Sequence, residues 1–511
     1  MTELQAAPTD TGHPRRWTIL AVMVVSLLVV VIDNTILNVA LKSIADPREG
    51  LGASQSDLEW SINSYTLVFA GLLFTAGLLG DRLGRRRVLM TGLVIFGIAS
   101  LASAYSQTPG QLIGARALMG LGAAAIMPAT LAIISNVFDP RERGRAIGVW
   151  AGAVGLAVAI GPVVGGVLLE HFHWGSVFLL AVPVLVPLLV FVPMLIPESR
   201  DPAPGRIDLV STLLSLAAMG PIVYGIKSLA TEGVEGFGVQ AIVLGVFCAI
   251  WFVRRQLRSE TPMLDVRLFR QGSFGGAVVV NLFSVIALVG FLYFVSQHLQ
   301  LIAGLSPVAA GLALLPGLVA MIAAGLLVVP VARRVRPRVL VPVALGLSAS
   351  GYLVIALFAG SGSIGPIVLA FVLLGVGIGA AETVSNELIL SSAPPAKAGA
   401  ASAVSETAYE LGAVLGTAIL GSILAVQFRS GLVLPSVLTD QQADAARETL
   451  AGAMTVADTL PGAIGEQLAA SAAHAFDAGV VVTSLIGVAL MAAAAVVAAI
   501  ALRNPKAPRA E

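Results

Sequence analysis

Apolar residues run along this chain in blocks broken by short polar turns. A helix needs about 20 apolar residues to cross the hydrocarbon core of a bilayer. Fourteen stretches reach that length or come near it: 17–41, 61–80, 87–106, 111–135, 146–169, 175–196, 207–226, 238–254, 274–296, 308–331, 339–359, 365–390, 400–427 and 478–502. Each predicts a membrane-spanning helix, because a backbone in lipid has to satisfy its own hydrogen bonds. The first run, from Trp17 to Ile32, continues past Asp33 into a further apolar turn. It reads as the first span rather than a cleaved secretion signal.

The polar breaks carry an orienting charge pattern. With the N-terminus in the cytoplasm, Arg15, Arg16, Arg82, Arg85–Arg87, Arg141, Arg143, Arg145, Arg254, Arg255, Arg258, Arg267, Arg270, Arg333, Arg334, Arg336, Arg338 and Lys397 all fall inside. Lys42, Arg48, Lys227, Arg429 and Arg447 fall outside. Inside enrichment of bases orients membrane proteins, and here it requires an even number of spans with both termini cytoplasmic. Residues 428–476 form a long external connection with Asp440, Asp444, Glu448, Asp458 and Glu466; residues 254–273 form a basic internal one. The basic turn Asp81–Leu89 after the second span is echoed by Ala332–Leu340 after the tenth, which points to two homologous halves, as in transporters made of repeats. The expected organisation is all-α. A cytoplasmic tail (1–14) precedes a six-helix bundle (15–200). Two inserted helices follow (201–258), then a second six-helix bundle (259–502) and a cytoplasmic tail (503–511).

Composition narrows the function. The chain has 511 residues, of which 57% are hydrophobic and 12% charged, against about 25% charged in soluble domains. A net charge of +1 excludes a nucleic-acid binder that works by bulk electrostatics. The single cysteine, Cys248, excludes a disulfide framework or a Cys-based metal site within one chain. No phosphate-binding loop motif is present, so ATP is not the direct energy source. Gly375-Val376-Gly377-Ile378-Gly379 lies in an apolar helix with no preceding strand and reads as close helix packing. His171 and His173 lack an acidic or Cys partner that would complete a metal site. No metal and no cofactor are expected. A preference for Arg over Lys, with abundant Ala, Gly and Val, fits a GC-rich bacterial genome.

Four groups of residues carry candidate chemistry. In Gly77-Leu78-Leu79-Gly80-Asp81-Arg82-Leu83-Gly84-Arg85-Arg86-Arg87 the glycines permit a tight internal turn. There Asp81 can cap the next helix and pair with an arginine on a neighbouring one, as a conformational latch; the plain alternative is a positive-inside turn. Arg116 lies in the fourth span, about 8 Å from its outer end, and Asp33 lies in the first, about 24 Å from its inner end. The two therefore share a depth. A charge inside a span faces protein or a cavity; the alternatives are a snorkelling arginine and a static hydrogen bond. In the fifth span Gly152, Gly155, Gly161, Pro162, Gly165 and Gly166 combine a helix bend with close helix approach. Glu406 and Glu410 share one face of the thirteenth span. Glu382 lies about 26 Å into the twelfth. Acids inside spans are candidates for binding a cation or a proton; Glu387, near an inner end, reads as structural.

The turn from Gly77 to Arg87 resembles the loop 2–3 signature of the major facilitator superfamily, and the fifth-span glycines with Pro162 resemble that family's antiporter signature. Asp33-Asn34-Thr35-Ile36-Leu37-Asn38-Val39-Ala40-Leu41, Leu299–Pro316 and Pro262–Phe269 look like motifs of its 14-helix drug:proton antiporters. The resemblance extends from about residue 15 to 502 and is nearest to multidrug, quaternary-ammonium and antibiotic self-resistance exporters. It implies a major facilitator fold and a monomer in the bacterial inner membrane. It further implies export of small organic, often cationic, drugs or antibiotics in exchange for protons. Asp33, Arg116 and Glu406 would couple the proton, and Glu406, Glu410 and Glu382 would meet substrate. Gly77, Asp81, Arg82, Gly84 and Arg85 would gate the cycle. Ala181 departs from the family's usual Asn. Asn63 and Met321 stand where relatives handling divalent cations carry acids, which argues against dicationic substrates. A proton-coupled uptake symporter and a membrane enzyme or receptor are the alternatives. The antiporter signature opposes the first, and the want of a catalytic constellation or effector domain opposes the second.

Overall fold

The computed structural model describes residues 12–45, 50–53, 55–200, 209–232, 236–259, 262, 266–305, 307–360, 362–393 and 398–502. Residues 1–11 and 503–511 of the tails lie outside the described residues, as do Arg48, Arg206, Met263, Leu264, Asp265, Ser306 and Lys397. So do the side chains of Asn38, Lys42, Pro162, Lys227 and Pro307.

All regular structure among the described residues is helical. The order is α1 (Arg16–Ala45), α2 (Gln55–Leu83), α3 (Arg85–Ala104), α4 (Pro109–Val137), α5 (Pro140–His171), α6 (Ser176–Leu179), α7 (Ala181–Leu195), α8 (Leu209–Glu232), α9 (Gly238–Arg258), α10 (Gly272–Gln297), α11 (Pro307–Ala332), α12 (Pro337–Phe358), α13 (Ile364–Ser391), α14 (Ala398–Leu415), α15 (Gly421–Gly431), α16 (Asp440–Glu448), α17 (Leu450–Thr459) and α18 (Gly462–Ala501). Ten helices among the described residues are long and apolar enough to cross a membrane, and an eleventh is α2, bent by 49° between Trp60–Leu73 and Thr75–Leu83. Helices α5, α8 and α14 fall outside that count. In α14 small and polar residues, Ser402, Ser405, Glu406 and Glu410 among them, replace long aliphatic ones.

The connection 428–476, expected as a loop, is largely helical. It contains α16 and α17, and α18 begins at Gly462 rather than at 478. The physical cause lies in its composition. Alanine is the strongest helix former, and Leu468, Ala472, Ala475 and Phe476 are buried as α18 packs on α15 and α17. A capping box at Thr439 and Gln442 starts α16.

Two compact units emerge from the contacts. The first comprises Met1–Ser215, Arg255–Asp265 and Ile389–Glu406; the second comprises Leu216–Arg254, Val266–Leu388 and Thr407–Glu511. In the first, α2 and α3 pack on α4, α1 lies along α5, and α7 packs on α3 and α1. In the second, α10, α12 and α17 pack on α18. Glycines set these distances. A Cβ on Gly375 would meet the Gly317 carbonyl at 2.5 Å, one on Gly379 the Met321 carbonyl, and one on Gly377 the α12 backbone at Ala344. The Gly-rich run in α13 is therefore a packing seam against α11 and α12, as its apolar setting predicts. Between α8 and α9, a Cβ on Gly225 would lie 2.5 Å from the Gly238 carbonyl.

Candidate functional site

Asp33 on α1 and Arg116 on α4 meet deep in the first unit. Arg116 Nη1 donates to Asp33 Oδ2 at 2.6 Å, with 0% and 4% of the two side chains exposed. The guanidinium Nε donates to the Ser61 carbonyl of α2 at 3.3 Å. Its carbon stands 4.4 Å from the centroid of the Tyr65 ring, a cation–π arrangement. Nη2 is buried with no acceptor in the protein. Gly120, one turn along α4, makes this possible. A Cβ there would come within 2.5 Å of the Tyr65 carbonyl and push α2 away. Two charges in a dry interior are stable only while paired and hydrogen-bonded. The guanidinium thus has Asp33 as its ionic partner and the Ser61 carbonyl and Tyr65 ring as its further neighbours.

The fifth-helix glycines sit against the same stretch of α1. A Cβ on Gly161 would fall on the Thr35 hydroxyl, and one on Gly165 would meet Ile36 at 3.2 Å. Thr35 in turn donates to the Ile32 carbonyl at 3.0 Å, which fixes its hydroxyl two residues along α1 from Asp33. Gly152 and Gly155 are buried, whereas Gly166 faces open space. The helix runs unbroken through Pro162.

A second cluster gathers at the α2–α3 turn. Asp81 does not cap α3, as the sequence led one to expect; the N-cap is Gly84, which has no side chain to offer. Asp81 lies within the last turn of α2, and Oδ1 accepts from Arg85 Nε and Nη2 at 3.1 and 2.9 Å. Its Oδ2 accepts from the backbone N–H of Ala400 at 3.0 Å, at the start of α14. A carboxylate there also answers the partial positive charge of a helix N-terminus. The Asp81–Arg85 pair is almost fully buried. Gly77 is buried behind it, and Arg82 is half-buried at the helix end. Gly84 has φ +111°, a conformation side chains rarely adopt, and a Cβ there would strike the Glu198 carboxylate. Glu198 accepts from the Arg86 N–H at 3.1 Å and stands 3.8 and 3.7 Å from the Arg86 and Arg87 guanidiniums. The sequence reading passed over Glu198. Its signal was an acid just past the sixth apolar stretch, on the side where Arg85–Arg87 lie. Ser61, Tyr65 and Ala400 left no comparable signal, because two of them contribute backbone atoms and the third a ring in an ordinary apolar run.

The remaining acids lie on α13 and α14. Glu382 is 6% exposed, and its Oε1 is buried with no hydrogen-bond partner in the protein. Thr383 and Asn386 are buried on the same helix, and Asn281 Nδ2 of α10 donates to Asn386 Oδ1 at 3.2 Å. Glu406 is 2% exposed and Glu410 is half-buried, one turn apart on α14. The unit boundary falls at Glu406, so the two acids cluster with different units. Asn63 is half-buried and Met321 buried, both uncharged. Among the described residues no group of three or more His, Cys, Asp or Glu is placed to hold a metal ion.

A sequence model described as the Major Facilitator Superfamily matches residues 23–417. The multidrug efflux pump LfrA of Mycolicibacterium smegmatis is 47% identical over 505 residues, covering 98% of this chain and 100% of that protein. The methyl viologen resistance protein SmvA of Salmonella typhimurium is 37% identical over 465 residues, covering 90% and 93%. Among solved structures, the human organic anion transporter MFSD10 superposes with a TM-score of 0.60 at 15% identity, covering 94% of this chain and 100% of that one, a likeness of fold alone.

Proposed function

Because this chain belongs to the Major Facilitator Superfamily, and so is a multi-pass membrane transporter rather than an enzyme, we propose that it is a proton-coupled antiporter. It exports small, hydrophobic, often cationic drugs or antibiotics from the cytoplasm or inner leaflet of a bacterial inner membrane. The observation that carries this reading is the buried Asp33–Arg116 pair, with Arg116 also bonded to Ser61 and stacked on Tyr65. A proton arriving from outside neutralises Asp33 and frees Arg116; loss of the proton restores the pair. The driving force includes the membrane potential, about 2.3 kcal/mol per charge per 100 mV. Glu406, with Glu410 and Glu382, meets the substrate cation or a second proton. Asp81, Gly84 and Arg85, with Gly77 and Arg82, gate the change between inward- and outward-open states. The chain acts as a monomer without metal or cofactor. It has fourteen spans and cytoplasmic termini; the positive-inside pattern and the helices along all fourteen apolar stretches support that count. Six-helix bundles at 15–200 and 259–502 flank the inserted pair 201–258. Asn63 and Met321 favour monovalent over divalent cations.

Inverted membrane vesicles test the reading. With an imposed proton gradient, wild type accumulates a monovalent cationic dye and dissipates the gradient as it does so. Asp33→Asn lowers that accumulation at least about tenfold at equal protein level, the loss of one essential protonation step. Gradient-driven accumulation by Asp33→Asn equal to wild type would make Asp33 structural and remove the basis of the proposal.

A further inference from the structure

Oε1 of Glu382 and the hydroxyl oxygens of Ser284 and Ser385 are buried in the second unit with no hydrogen-bond partner among the described residues. Thr383, beside Glu382, shows the usual arrangement, its hydroxyl donating to the Gly379 carbonyl at 2.8 Å. We propose that Glu382, Ser284 and Ser385 form a hydrated proton site between α10 and α13, which supplies a second proton for each monovalent cation exported. The inference deepens the exporter reading above and rests on it. It gives Glu382 to the proton and leaves the substrate cation to Glu406. Two protons enter as one cation leaves, so one net positive charge moves inward per cycle.

Helical register brings the three groups together. Asn281 Nδ2 on α10 donates to Asn386 Oδ1 on α13 at 3.2 Å, and the Phe291 and Phe371 rings of the same two helices stack at 5.4 Å. Between these contacts the numbering rises along α10 and falls along α13, so the helices run antiparallel. At 3.6 residues per turn, Ser284 falls between Asn281 and Phe291 in an arc of about 80° on α10. Glu382 falls between Phe371 and Asn386 in an arc of about 60° on α13. From the Asn281–Asn386 contact Ser284 lies about 4.5 Å along the seam and Glu382 about 6 Å, in the same direction. Both therefore face the seam at one level, and Ser385 neighbours Glu382 three residues along α13.

Charge decides the occupant. Helices α10 and α11 carry no Asp, Glu, Lys, Arg or His, and α12 carries only Arg338, in its first turn. Glu387 on α13, and Glu406 and Glu410 on α14, are acids as well. A buried carboxyl with no cationic partner is held neutral rather than charged. An apolar occupant would leave three buried oxygens unsatisfied. A water needs about two to four polar partners, and these oxygens supply them. A hydroxyl both donates and accepts, so Ser284, Ser385 and water serve the carboxyl with its proton and without it. The membrane potential acts only on charge that crosses the membrane. One proton at Asp33 exchanged for one monovalent cation moves none, and a second proton site is what lets the potential drive export.

The test uses the purified full-length protein in proteoliposomes, with ethidium as the monovalent cation. Accumulation at steady state reads the number of protons. With the membrane potential clamped at zero, a gradient of about one pH unit should support about hundredfold accumulation in wild type and about tenfold in Glu382→Gln. With equal pH on both sides, a membrane potential should drive accumulation in wild type and none in Glu382→Gln. Potential-driven accumulation by Glu382→Gln would overturn the proposal, as would a wild type that ignores the potential. So would a potential response that requires Na⁺, which would make an alkali cation the occupant. Infrared spectra of the protein in lipid nanodiscs give a readout that needs no transport. Wild type should show the C=O stretching band of a protonated carboxyl that Glu382→Gln lacks and that Ser284→Ala shifts in frequency. If Glu382→Gln cannot be recovered folded, Ser284→Ala decides, and an unshifted band would sink the idea. A wild type that accumulates no ethidium under either gradient, yet shows the band and its shift, counts against the exporter reading alone. Proton-driven export that stays one for one counts against the second proton site alone.

Discussion

Arg116 carries a full charge at a place where none of its side chain is exposed, and Asp33 is what makes that tolerable. Removing one member of a buried pair leaves the other uncompensated and costs about 3–5 kcal/mol, more than removing both. Asp33→Asn should therefore lower the thermal stability of the purified protein. Adding Arg116→Gln should recover much of that loss without recovering proton-driven efflux. A double variant as unstable as the single one would show that the pair's energy lies elsewhere. The same scale governs Glu406, which is buried on the first turns of α14, while Glu410 is half-buried one turn on. Glu406→Gln should weaken resistance to a cationic substrate and spare a neutral one, with Glu410→Gln having the smaller effect. The comparison is growth at matched protein levels. Equal loss for both substrates would assign Glu406 to proton coupling or folding, and no loss for either would leave it a static buried acid.

Between helices, glycines decide how closely chemistry can approach chemistry. Gly161 and Gly165 bring α5 onto α1 within a turn of Asp33, while Gly166 of the same motif faces open space. The motif is therefore not uniform, and its members separate by experiment. Gly161→Ala overpacks the contact with Thr35 and should destabilise by about 1–3 kcal/mol, with a parallel loss of transport. Gly166→Ala should stay within about 0.5 kcal/mol of wild type. Adding Thr35→Ala removes the hydroxyl that the new Cβ strikes and should partly rescue Gly161→Ala. Thermal unfolding and vesicle transport on the four proteins check this. Equal effects at 161 and 166 would refute the contact-based account. Glu198 works at the same scale, holding the Arg86 N–H beside Gly84, whose positive φ turns the chain, and so fixing how α3 leaves α2.

At the scale of the whole chain, α14 begins in the first unit and continues in the second. Asp81 grips its first turn through Ala400 while also holding Arg85. The gating role proposed for this turn would act on the rate at which states interchange more than on the affinity of either state. Asp81→Asn weakens both bonds without changing shape. It should slow transport several-fold while leaving equilibrium binding of substrate within about twofold. Turnover in proteoliposomes set against binding to purified protein measures the difference; lost affinity with unchanged turnover would rule out a gating role.

Where the helices fall, and which acids and bases are out of place in them, follows from local chemistry alone. Lipid forbids unpaired backbone over about 20 residues, and a charge inside such a run is conspicuous wherever it sits, so Asp33, Arg116, Glu382 and Glu406 stand out without coordinates. Helical rise even put Asp33 and Arg116 at one depth. What the third dimension alone decided is which groups complete the charges. Ser61 offers a carbonyl, Tyr65 a ring face, Ala400 an N–H and Glu198 a carboxylate, and each comes from a segment distant in sequence. Backbone donors and acceptors are the same at every residue and leave no trace in composition. The helical course of 428–476 was hidden for a related reason. Its charged and alanine-rich residues lack the long apolar period that marks a span, and their helices form because neighbours are there to pack against, α17 for α16 and α18 for α17.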